Sequence, residues 1–329
     1  MCISGALGYI APSTGFGCDS VIEFEVALAN GSVVIANSAS NSDLWRALRG
    51  GGSNFGIVTK LVMNTTALGD IWAGEALYEP SALDAQIQAF YSFASNPNYD
   101  DKADLLMSFL YTGQGGLQIA DLLTYGEPEE NPAAFDAFYA IDGQILNSTT
   151  VTNVPDFSIV QEETSPDGLQ QITLATMFTN NAQHLKDVFS IFNESIAGVS
   201  NIDGISWALT FEPLVTSFAA ASNARGGNIL GLTIPSEGLV LTLGSFSFNS
   251  AADYAEMNNL VDQLLADLIA AAVKNNVFNP FVELNHAKQS QKPFPSYGAE
   301  QYAFLLETAN KYDPNGVFQT LMPGGFKLQ

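Results

Sequence analysis

The sequence holds two histidines, His184 and His286, and two cysteines, Cys2 and Cys18, in 329 residues. So few imidazoles exclude histidine-rich metal sites and most catalytic triads, and no metal site is expected. No HExxH, CxxC or GxSxG occurs, and the one glycine cluster, RGGGSNFG (49–56), has neither GxGxxG spacing nor a following Lys-Ser/Thr. Rossmann and P-loop phosphate cradles are therefore not encoded here. What remains is proton transfer and electrostatics. His286, in Asn285-His286-Ala287, carries the side chain whose ordinary pKa of about 6.5 suits proton transfer at neutral pH. Glu212 ends the stretch GISWALTFE, where it can serve as acid or base, against the plainer reading of a solvated strand end. Arg225, ahead of Gly226-Gly227, can anchor a carboxylate or enolate, with a surface ion pair as the ordinary alternative. Tyr297, in SYG, either donates a phenolic proton or packs. His184 sits beside Lys186 and Asp187 on an amphipathic stretch and is expected to be solvated.

These residues need elements to position them. VIEFEVAL (21–28) alternates apolar and acidic residues, Asn30-Gly31 forms a two-residue turn, and Ser32–Ala36 resumes β-branched character, which predicts a hairpin. Asn41-Ser42-Asp43 offers N-caps ahead of LWRALR, Gly50-Gly51-Gly52 ends that short helix, and Phe55–Met63 reads as a strand. Helical spacing follows over 81–95, 131–141, 181–195 and 250–275. Strand-like runs lie between, over 103–112, 171–179, 204–212 and 238–248. Long strands separated by helices predict an antiparallel sheet covered on one face by helices, an α+β lobe. If 281–287 is also a strand, Glu283 and Asn285 share a face and His286 points away, unless the strand bulges. The 33 Phe and Tyr residues are expected mostly in the core and do not diagnose an aromatic substrate.

Two blocks, GFGCDSVIEFEVALANGSVVIANSASNSDLWRALRGGGSNFGIVTKLVMNT (15–65) and KYDPNGVFQTLMPGGFKL (311–328), resemble the fungal berberine-bridge-enzyme-like branch of the vanillyl-alcohol-oxidase (PCMH-type) FAD-linked oxidoreductases. FVELNHAKQSQKPFPSYGAEQ (281–301), SWALTFEPL and ARGGNILGL are similar to further parts of that family, so the resemblance covers most of the chain. It implies an α+β protein built from a remnant of the FAD-binding domain (1–68), a substrate lobe with a large antiparallel sheet backed by helices (69–286), and a C-terminal segment returning to the remnant (287–329). The family's first FAD subdomain, with its pyrophosphate loop and covalent flavin attachment, has no counterpart, since Met1-Cys2 stand where a Gly-Gly pair precedes Ile-Ser. Where the family has Asn-Tyr-Ala beside its active cavity, this chain has Asn285-His286-Ala287.

Three readings follow from the resemblance. In the first, the chain has lost FAD and acts as a cyclase, isomerase or pericyclase on a small natural product, using His286 with Arg225 or Tyr297, and Glu212 as a further candidate. In the second, it is an FAD-dependent oxidoreductase of an alcohol or amine whose non-covalent FAD is completed by a dimer or a second chain, with Asn54, Phe55, Gly56, Ile57, Val58 and Asn285 as cofactor contacts. In the third, it is a non-catalytic ligand binder.

The charge balance is lopsided, with 34 acidic against 11 basic residues and a net charge of −23. Nucleic acid is thereby excluded as a partner, because phosphate binding needs a basic face. Only 14% of residues are charged while 47% are hydrophobic, which demands a large core. No apolar run reaches the ~20 residues of a membrane span. The N-terminus lacks a secretory signal, so a cytoplasmic location, reduced Cys2 and Cys18, and meaningless sequons at Asn30, Asn64, Asn147 and Asn193 are expected. Apolar surface uncovered by a missing subdomain predicts a homodimer.

Overall fold

The acidic-apolar alternation of β1 (Val21–Ala27) sends Phe24 and Val26 inward, where both are fully buried. The chain turns at Gly31, whose φ of +83° no β-branched residue adopts without strain, and returns as β2 (Val33–Asn37). β3 (Ile57–Met63) pairs with the other side of β1, giving an antiparallel sheet ordered β2-β1-β3. Helix α1 (Ser42–Leu48) buries Leu44, Ala47 and Leu48. The computed structural model describes residues 2–163 and 167–328. Its first compact unit comprises Met1–Ala67, Thr216–Thr233 and Phe281–Gln329.

The second unit comprises Leu68–Val215 and Ile234–Pro280. Its strands are β4 (Ile71–Tyr78), β5 (Ala103–Thr112), β6 (Gly116–Tyr125), β7 (Gln144–Asn147), β8 (Thr150–Thr152), β9 (Gln170–Thr179), β10 (Ser206–Leu214), β11 (Leu239–Phe248) and β12 (Phe278–Asn279). They form an antiparallel sheet ordered β12-β9-β11-β10-β5-β6-β4-β7, with β8 also on β4. Period-2 alternation puts Trp207, Leu209 and Phe211 of β10 and Leu105, Met107 and Phe109 of β5 on one face. Helices α2 (Leu83–Ala94), α3 (Ala182–Val199) and α4 (Tyr254–Lys274) cover that face, and their apolar stripes join it in one core. Phe211 meets Phe90 of α2 and Phe109 in edge-to-face contacts. The expected helix-backed antiparallel sheet is therefore present.

Three expectations need correction. The substrate lobe is not continuous over 69–286. Residues 216–233 pack with the first unit, because the backbone of Arg225 and Ile229 and the side chain of Asn228 bond to Arg49 and Asp19, and the chain rejoins that unit at Phe281. His184 is not solvated but 1% exposed, with its ring 4.5 Å from that of Phe178. The Asn275 amide donates to its Nδ1 (3.1 Å) and to Asp187 (2.7 Å), so the ring proton sits on Nε2. Burial lowers its pKa to about 4. Glu212 is likewise buried, not at a solvated strand end. It lies with Asp104 of neighbouring β5 on the sheet face opposite the helices.

Asp121 of β6 faces the helix side and is fully buried beside Gln86, with neither carboxylate oxygen in a well-formed hydrogen bond. Burial raises its pKa to about 7, slightly eased by Gln86. A carboxyl whose folded pKa exceeds its unfolded one adds most stability below about pH 4, and that contribution disappears as pH climbs to 7. Asp121→Asn should therefore stabilise the protein by about 2–4 kcal/mol at pH 8 and by little at pH 4. Urea midpoints at the two pH values measure this, and an equal effect at both would contradict the assignment.

Candidate functional site

Arg49 is the first unit's anchor. Its side chain is fully buried and pairs with Asp19 (Nη2–Oδ1, 3.2 Å). It also donates to the carbonyls of Cys18 (2.9 Å), Asp19 (2.8 Å) and Arg225 (3.1 Å), and lies 4.4 Å from the centre of the Trp45 ring. Asp19 further accepts from Asn228 Nδ2 and Phe16 N, each at 2.9 Å. Burial still leaves the Asp19 pKa above the usual carboxylate value, outweighing Asn228 and Arg49, and lowers that of Arg49.

The glycine run after Arg49 is tied at each step. Gly51 N donates to Ala47 O and Gly52 N to Ile3 O. Asn54, fully buried, donates to Gly51 O and Phe326 O, while Gln319 donates to its carbonyl and side-chain oxygens. Phe55 is buried, and a Cβ on Gly56 would stand 2.5 Å from Val26. Ile57 and Val58 belong to β3, where Ile57 is 57% exposed.

Residues 281–287 are not a strand. Glu283 accepts from the backbone N–H of His286 (2.9 Å), a local bond that competes with a sheet ladder, and Leu284–His286 form a turn. The turn brings Glu283 and His286 together instead of opposing them, with Glu283 Oε2 2.9 Å from His286 Nδ1. Glu283 is 4% exposed and also accepts from Asn285 Nδ2 (2.5 Å). An ionised carboxylate only accepts, so Nδ1–H donates and Nε2 of the neutral ring carries the lone pair. The His286 side chain is 45% exposed, leaving that nitrogen able to take a proton.

Asn285 reaches the other way, accepting from Ser4 Oγ (2.6 Å) and donating to Ser4 O (3.1 Å). The two residues border a cleft of about 290 Å³ whose walls include Leu284, Phe294 and Phe326. Gly52 (φ +66°) and Gly325 (φ +66°) present bare backbone to it. A Cβ on Gly52 would project among Leu284, Phe294 and Asn54 at 3.6–3.7 Å, filling space rather than clashing.

Of the sequence candidates, Asn285 lines this cleft, and His286 follows it in the chain with its ring on Glu283. Arg225 donates to Ser20 Oγ (2.8 Å). Tyr297 is 3% exposed, stacks on Phe281 and donates to Gly50 O (3.1 Å), which makes it a packing residue. Glu212 belongs to the second unit. Glu283 as the orienting partner was the residue missed, and its signal was an acid three residues before a histidine in a Pro-rich stretch. Cys2 and Cys18 are free, and among the described residues no helix is long and apolar enough to cross a membrane.

Over 330 residues and 98% of this chain, FAD-dependent monooxygenase sdcF of Emericella nidulans is 32% identical, and the match covers 68% of that protein. The chain belongs to the berberine-bridge-enzyme-like family of FAD-linked oxidoreductases. Bifunctional solanapyrone synthase of Alternaria solani is 31% identical over 99% of this chain and 62% of its own length. Oligopeptidase PhomG' of Diaporthe leptostromiformis is 33% identical over 99% of the chain but only 27% of its own length. The chain thus spans between 27% and 68% of its curated relatives. No family model matches. The fold is that of 6-hydroxy-D-nicotine oxidase from Arthrobacter nicotinovorans (TM-score 0.74, 18% identity, 96% of this chain and 68% of that one).

The chemistry of the cleft fits part of a flavin. Apolar walls, two bare glycines and a polar edge of Ser4, Ser53 and Asn285 suit a ring system, whereas no Lys or Arg among the described lining residues serves a diphosphate. Of the six expected cofactor contacts, Asn285 alone lines it. Asn54, Phe55 and Gly56 are committed to packing, and Ile57 and Val58 lie on β3.

Because Arg49 holds Asp19 and three carbonyls, Arg49→Ala should cost about 3–5 kcal/mol by stranding a buried carboxylate. Asp19→Asn in the same background should recover part of the loss. Urea unfolding of both variants tests this, and additive losses would refute the ion pair as the anchor.

Proposed function

We propose that this chain is part of an FAD-linked oxidoreductase acting on an alcohol or amine group of a small natural product. Its similarity to FAD-dependent enzymes across nearly the whole chain carries the reading, and the His286–Glu283 pair supplies the proton acceptor such a reaction needs. When bound, the flavin provides the two-electron acceptor. Ser4, Gly52, Phe294 and Asn285 would hold its ring end in the cleft, and its diphosphate would be held by residues outside that cleft.

His286 Nε2 takes the proton from the substrate O–H or N–H as the C–H electrons leave. Glu283 keeps Nδ1–H fixed and stabilises the imidazolium that forms, so the imidazole is oriented before substrate arrives. A flavin-free cyclase would use the same pair, but similarity to FAD-dependent enzymes favours the oxidoreductase.

Titrating FAD into the purified chain should raise the flavin's fluorescence anisotropy, and free tumbling at every protein concentration would overturn the reading. In the flavin-loaded enzyme, His286→Gln should lower kcat by about 10²–10⁴-fold with FAD binding unchanged. Peroxide release under oxygen measures it, and an unaltered rate would remove His286 from the mechanism.

A further inference from the structure

A second cleft in the first unit, of about 350 Å³, lies between α1 and the helix Ala299–Tyr312. Arg46 lines it with its guanidinium 4.7 Å from the centre of the Phe304 ring. Several other cations of the chain are held in ion pairs. Lys102 pairs with Glu127, Lys186 with Asp84, Lys311 with Asp43 and Arg49 with Asp19. Arg46 makes no hydrogen bond or ion pair among the described residues, leaving all five donors of its planar fork free.

The neighbours suit an anion. Ser38 and Ser42 bring exposed hydroxyls to the cleft. Asp43, the one carboxylate on its wall, is already held by Lys311 Nζ (2.5 Å), Tyr312 OH (2.8 Å) and Leu44 N (3.0 Å), so its charge is locally offset. Trp45 and Phe304 add aromatic surface. A guanidinium resting on a ring is pre-oriented for bidentate contact with a planar carboxylate, and the hydroxyls supply further donors. The cleft volume sits at the lower end for small-molecule sites, enough for one or two fused rings.

We propose that this cleft binds a small aromatic carboxylate, with Arg46 pairing the carboxylate and the Trp45 and Phe304 rings flanking the ligand. The site shares no residue with the cleft at Asn285, and its occupancy is independent of flavin.

Isothermal titration with 2-naphthoate, against the neutral isostere 2-naphthalenemethanol, tests the assignment on the purified chain. Naphthoate should bind at least tenfold more tightly than the alcohol, the loss of one charge-assisted pair being worth about a factor of ten. Arg46→Ala should remove that preference, and Arg46→Lys should retain only part of it. Circular dichroism melts and the FAD titration, both unchanged in Arg46→Ala, show that the variant is folded and keep this test separate from the proposed oxidoreductase activity. Absent naphthoate binding, equal binding of acid and alcohol, or equal affinity in folded Arg46→Ala would each overturn the proposal.

Discussion

The first unit depends on one buried ion pair. Arg49 and Asp19 lie beyond the reach of water, where two isolated charges cost several kcal/mol each to desolvate. What makes the burial tolerable is the number of hydrogen bonds, with three carbonyls on the guanidinium and an amide and a backbone N–H on the carboxylate. That arrangement fixes three pieces of chain far apart in sequence, the turn at Cys18–Asp19, the start of the glycine run and the loop at Arg225–Asn228. The last nucleophile-like group nearby, Cys18, is fully buried, and burial raises its pKa well above the usual thiol value, so it stays protonated and inert.

The second unit treats charge differently. Its sheet buries Asp104, Asp121 and Glu212 without a buried Lys or Arg among its described residues, and Asp104 and Asp121 lower their cost by taking up protons. Burial raises the pKa of Asp104 as it does that of Asp121. His184 makes the complementary choice and stays neutral by losing its proton. These groups pull stability in opposite directions as pH changes. Acid favours the carboxyls, while between about pH 6.5 and 4 it progressively charges the unfolded-state histidine and penalises the fold.

Most of the architecture was legible in the sequence because it rests on local patterns. The acidic-apolar alternation of β1, the Asn30-Gly31 turn and the helical stripes of α2, α3 and α4 each specify an element without reference to distant chain. The errors share one cause, which is that side-chain bonds between distant segments do not register in periodicity. His184 looked solvated because Lys186 and Asp187 flank it, yet Asn275 closes over it from another helix. Residues 216–233 looked like lobe because nothing local announces the bonds to Asp19 and Arg49. Nor does anything local announce the bonds of Asn54 to Gly51, Phe326 and Gln319.

The turn at Glu283–His286 shows how much chemistry one such bond decides. Extended backbone would place the carboxylate and the imidazole on opposite faces, leaving an ordinary surface histidine. Once Glu283 accepts the His286 backbone N–H, the chain cannot continue as a ladder, and the same carboxylate comes within reach of Nδ1. A single buried acceptor therefore sets both the fold of the segment and the tautomer of the ring. Asn285, between them, faces Ser4 and closes the edge of the cleft. The ring of His286 is thus oriented through Nδ1 only because Glu283 stands three residues earlier.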